Sequence, residues 1–154
     1  MKSALASLIV LFSLGFSSAQ ASQSFHFFYT GQHMGQLSMV SCDTAEYELR
    51  ELLDLFGARG ISTLCTGGVN PWGSVTPLNL SATFDLEPVR GADYRVETFD
   101  MSESTLWSPS CYFSTDLVKS LVRDLPNVRI TRSFDACFSN TDHFDYRFEV
   151  KFPN

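Results

Sequence analysis

The side chains that could carry chemistry are few. The chain holds three histidines, His26, His33 and His143. His26 alternates with Phe25 and Phe27, which places it on one face of a strand. His33 lies in a glycine-flanked segment. The densest polar group is Asp142-His143-x-Asp145, but on a strand Asp142 and His143 point to opposite faces. Those three groups converge on a metal only if a turn bends them, so the expectation is a turn feeding a solvent-facing strand, with no metal site. Serine is abundant, yet no G-x-S-x-G elbow is present. Asp85 with Glu87, and Asp100 with Glu103, read as loop and edge charges. Gly67-Gly68 lacks the lysine and the following helix of a phosphate loop. No cofactor is expected.

Two segments stand above this background. The first runs from Thr66 to Pro77 as a predicted loop and carries Asn70, Pro71 and Trp72. Its counterpart later in the chain, Ser139 to Asp142, is far shorter. A long connection presenting a tryptophan suits a contact surface, and the competing reading is an indole folded back onto the core. The second is Trp107, just ahead of Cys111, which either makes contacts or fills space beside a disulfide. Trp72, Asn70 and Trp107 are therefore the candidate binding residues. Asn79-Leu80-Ser81 matches the N-glycosylation pattern, which matters only in a eukaryotic secretory pathway.

The amino terminus reads as an address. Met1-Lys2-Ser3 precedes an apolar run from Ala4 to Phe16, and Ala19-Gln20-Ala21 fits the small-residue pattern of a cleavage site. The run is roughly 13 residues, short of the roughly 20 that span a bilayer. The expected division is a signal peptide over 1–21 and one domain over 22–154, exported to the periplasm or outside the cell and without a membrane span. Of 11 basic and 17 acidic residues only Lys2 falls in the leader, so the remainder is strongly acidic. That balance opposes nucleic acid and anionic membranes, and leaves an unidentified protein or small ligand as the partner. Cys42, Cys65, Cys111 and Cys137 all lie in the exported part, with 22, 45 and 25 residues between them and no C-x-x-C pair. Two disulfides, rather than a zinc site, are expected.

The elements that would position these groups come twice. At an offset of 69, Ser41-Cys42 falls on Ser110-Cys111, Leu52 on Leu121 and Ile61 on Ile130, while upstream Phe25 falls on Tyr94, Phe27 on Val96 and Leu37 on Leu106. Phe25 to Thr30 reads as a strand. Asp43, three before Glu46, suggests a capping role at the start of a helix. Ala45, Leu49, Leu52, Leu53 and Phe56 form one helical face, stopped by Gly57. A short strand over residues 60–66 follows, then alternation from Leu78 to Leu86. The second unit repeats this: Tyr94 and Val96 alternate with charges, Val118, Leu121, Val122 and Leu125 form a helix face, Val128 to Phe138 is a strand, and Phe144 to Phe152 alternates most clearly of all.

The predicted fold is α+β, a tandem β-α-β-β repeat over about 24–87 and 93–152. It would form a mainly antiparallel sheet with two helices on one face, ferredoxin-like in flavour and stapled by disulfides. Each cysteine pair brackets one helix and its following strand, which favours Cys42–Cys65 and Cys111–Cys137. The functional expectation is a non-enzymatic binding or accessory module. The alternative is a small exported hydrolase assembled from scattered Ser, His and Asp, signalled by a cleft holding a histidine beside a carboxylate and a hydroxyl. Alternating charges on the final strand oppose a third reading, self-association through sheet edges.

Overall fold

The computed structural model describes residues 21–33, 36–37, 39–89, 91, 93–102, 110–137 and 143–154. Trp107, Asp142 and the expected signal segment up to Gln20 lie outside them.

The repeated Ser-Cys pair has a local cause. Ser41 and Ser110 both sit in extended backbone, and each Oγ accepts the amide three residues on, Thr44 N and Phe113 N, both at 3.2 Å. Helix α1 (Cys42–Leu55) and helix α2 (Cys111–Asp124) start at the next residue. The cap of α1 is therefore Ser41, two residues before the expected cap Asp43. Asp43 lies in the first turn, where its charge complements the helix dipole. Helix α1 buries Ala45, Leu49, Leu52 and Leu53, and α2 buries Phe113, Leu117, Val118 and Leu121. Gly57, at φ +84°, ends α1 where a Cβ would stand 2.7 Å from the Phe152 ring.

The strands are β1 (Ala21–Tyr29), β2 (Gln32–His33), β3 (Gln36–Leu37), β4 (Arg59–Val69), β5 (Val75–Leu86), β6 (Tyr94–Ser102), β7 (Val128–Ala136) and β8 (His143–Pro153). Short β2 and β3 pair only with each other. The six long strands divide into two antiparallel three-stranded sheets, ordered β1-β5-β4 and β6-β8-β7, instead of continuing as one. In each unit the closing strand inserts between the two strands that the helix joins. The fold is thus α+β, with the β-α-β-β arrangement twice. Cys42–Cys65 and Cys111–Cys137 are the disulfides, with Cα separations of 5.4 and 5.6 Å.

One core unites the units. Phe113 of α2 meets Phe27 and Tyr29 of β1 edge-on, with centroids 5.8 and 5.3 Å apart. Phe56, at the end of α1, meets Phe148 of β8 at 5.3 Å. Between the helices, Ser114 Oγ lies 3.1 and 3.4 Å from the two carboxylate oxygens of Glu48, both residues being wholly buried. A buried carboxylate needs such donors, so this contact fixes how the helices face each other.

Strand β8 follows its alternation: Phe144, Tyr146, Phe148 and Val150 are buried. Strand β6 departs from the expected face. Its inward residues are Phe99, opposite Phe148, and Met101, opposite Tyr146. Val96 lies opposite Lys151 and is 51% exposed. The constant offset therefore fails upstream of the helices, where register against β8 sets the inward face of β6. No helix among the described residues is long and apolar enough to cross a membrane.

Candidate functional site

The predicted loop from Thr66 to Pro77 is mostly strand. Strand β1 ends its pairing at Tyr29–Leu78, but β4 and β5 continue beyond it through Gly68–Thr76 and Val69–Val75. The result is a two-stranded arm projecting past the sheet, with only residues 70–74 as its turn. A bulge between Thr66 and Gly68 sets its direction. Here glycine is obligatory: Gly67 is at φ +87° and a Cβ would fall 2.0 Å from the Pro77 carbonyl oxygen. At Gly68 a Cβ would fall 2.5 Å from the Val40 carbonyl oxygen, which accepts the Val69 amide at 3.1 Å. That last bond ties the arm to the segment leading into α1.

Asn70 Oδ1 organises the tip, accepting the amides of Trp72 (3.0 Å) and Ser74 (2.9 Å), while the Asn70 carbonyl accepts Gly73 N at 3.0 Å. Trp72 stands on this turn 90% exposed, so the indole does not fold back on the core. Asn70 holds the tryptophan in place, its side-chain oxygen being engaged within the turn.

The arm extends from the first sheet, whose outer face lies before the bulge. Register places Phe28, Asn79 and Thr66 side by side, then His26, Ser81 and Leu64, then Ser24, Thr83 and Ser62. Phe28 is 59% and Leu64 66% exposed, and Val75 is exposed on the arm. A shallow groove of about 250 Å³ runs between His26, Phe28, Leu64, Thr66, Asn79 and Ser81. None of these rows contains a charged residue. Ser81 Oγ donates to the Leu64 carbonyl at 3.3 Å, and the other polar side chains point outward from the ladder.

The second sheet supplies an internal comparison. Its outer face carries ion pairs: Arg147 with Asp100 (2.6 Å), Arg129 with Glu149 (2.8 Å) and Arg132 with Asp145 (3.3 Å). The Arg147 guanidinium, through its hydrogen bond and its charge, holds the Asp100 carboxyl below the usual range and is itself raised by that partner. Two units of one architecture thus present different outer faces, one laced with ion pairs and one uncharged over its three rows nearest the arm, with Asp85 opposite Arg59 at its far end.

The histidines divide accordingly. His26 lies opposite Ser81 in the uncharged groove, where no carboxylate lines the wall. His143 sits 5.7 Å from the Phe134 ring, in an open cleft of about 480 Å³ with Ser102, Asp100, Asp145 and Arg147. There both carboxylates are paired to arginines. Among the described residues no group of His, Cys, Asp and Glu could hold a metal ion.

Sequence reasoning singled out Trp72 and did not name His26, Phe28, Leu64, Asn79 and Ser81, which line the groove beside the arm, as candidate binding residues. A signal was present: no Asp, Glu, Lys or Arg occurs from Gly60 to Phe84, in a chain that is 18% charged. Comparison with family models, curated proteins and solved structures finds no match for this chain.

Proposed function

We propose that the protein is an exported, non-enzymatic binding module whose recognition surface is the outer face of the β1-β5-β4 sheet together with the Trp72 arm. The observation that carries this reading is the 90% exposed Trp72, fixed on an Asn70-organised turn at the end of an arm that extends from the uncharged rows of the sheet. An indole held in one backbone geometry loses little conformational freedom on binding and offers a broad apolar surface with one donor. Phe28 and Leu64 extend that surface along the sheet. The signal segment and the two disulfides support export to an oxidising compartment.

Photocrosslinking tests the reading. A diazirine side chain introduced at position 72 or 28 should trap a ligand in the exported compartment, and one introduced at position 147 should not.

The hydrolase alternative rests on the cleft shared by Ser102, His143 and Asp145. Triad catalysis needs the carboxylate to orient the imidazole, whereas Asp145 is engaged by Arg132. An esterase activity abolished by His143→Ala would favour that alternative over the binding module.

A further inference from the structure

Building on that binding surface, we infer that its ligand is a neutral polysaccharide laid along the strip from the Leu64 row to Trp72. Four observations converge on this chemistry. The rows of the face and the arm carry no ion, so a ligand resting there meets no charge to pair or to desolvate. Charged polymers and anionic lipid surfaces gain nothing from such a face, and the acidic chain repels the anionic ones.

Asn79, Thr66, Ser81, Ser24, Thr83 and Ser62 supply neutral hydrogen-bonding groups in three adjacent rows. Such groups match sugar hydroxyls, which both donate and accept. A second protein sheet stacked on this face would bury them without partners, which disfavours a copy of this chain as the occupant.

The exposed rings provide the other half of the match. Trp72 and Phe28 offer flat faces to the C–H side of a pyranose, while hydroxyls at the ring edge reach the neighbouring polar side chains. The shape also fits. The groove of about 250 Å³ is shallow and open, too small to enclose a drug-sized molecule. From Ser81 to Val75 the strand alone runs about 20 Å at ~3.3 Å per residue, which gives a track rather than a pocket.

The test incubates the purified exported protein with insoluble neutral β-glucan, insoluble neutral α-glucan, polygalacturonate and phosphatidylcholine vesicles, with sedimentation of the protein alone as a further arm. The expected result is retention on a neutral glucan that persists in high salt. It should fall about tenfold or more in Trp72→Ala and Phe28→Ala and be unchanged in Arg132→Ala, with melting temperatures recorded for all. Retention by neither glucan, retention only by polygalacturonate, or retention equal in all variants overturns the inference. If the glucans fail but Trp72→Ala abolishes vesicle binding or self-association, the ligand class is wrong and the surface stands. If Trp72→Ala and Phe28→Ala alter no arm and residue 72 traps nothing, the surface fails as well.

Discussion

Replacing Trp72 by alanine should barely affect folding. A buried tryptophan removes some 150–250 Å² from water. At 90% exposure Trp72 removes about a tenth of that, which at roughly 25 cal/mol per Å² stabilises the fold by about 0.5 kcal/mol. In a domain of this size that corresponds to a fall of about 2 °C in melting temperature. Phe113 provides the contrast. It is fully buried and stacks edge-on against Phe27 and Tyr29, so Phe113→Ala should cost about 3–5 kcal/mol and lower the transition by roughly 12–20 °C. Calorimetry of the two variants under identical oxidising conditions makes the comparison. A Trp72→Ala transition as low as that of Phe113→Ala would mean that the indole packs against the protein, and the recognition surface would lose its anchor.

Gly67→Ala should destabilise strongly and misdirect the arm, since its Cβ would collide with the Pro77 carbonyl; amide hydrogen exchange should show loss of protection at Val69 and Thr76, and an unaltered exchange pattern would contradict the bulge geometry. Ser114→Ala removes a donor from the buried Glu48 carboxylate and should cost about 1.5–3 kcal/mol in chemical denaturation, with a neutral outcome contradicting that contact. The Asp135 carboxyl is held below its ordinary value chiefly by its hydrogen bond from Lys119, with burial pulling the other way. Its stabilisation is therefore present above the unfolded carboxyl value of about 4 and is lost as pH falls through the lowered one. Melts of wild type and Lys119→Met should differ near neutrality and converge in strong acid; a gap independent of pH would contradict this. Reduction of both disulfides should remove about 3 kcal/mol each in the chain-entropy view, read as a lowered urea midpoint, and an unchanged midpoint would deny them a stabilising role.

Much of the architecture was legible because it rests on short-range pattern. The face of α1 from Ala45 to Phe56 and the alternation from Phe144 to Val150 are buried as their periods require. The cysteine pairing followed from placing each helix start beside the end of the next strand. The parity of β6 was not legible, because register against β8 rather than local hydrophobicity decides that Phe99 turns inward and Val96 outward. The division into two sheets depends on which edges stay unpaired, a long-range matter that composition does not encode. At the candidate site, Trp72 announced itself as a tryptophan in a turn-rich segment. The face behind it arises only when β1 and β4 flank β5, bringing Phe28 and Leu64 to either side of Asn79 and Ser81. What could have pointed there was the absence of charge over Gly60–Phe84, which is noticed only when charge is counted by segment.

The central claim is that ligand contacts the uncharged face and not the ionic one. Site-specific photocrosslinking in cells that make the protein, with the reactive side chain at position 72, 28 or 147 in otherwise unchanged protein, tests it most directly. The account predicts a common adduct from positions 72 and 28 and none from 147. Adducts from 147 with none from 72 and 28 would contradict it and move the recognition surface to the second sheet.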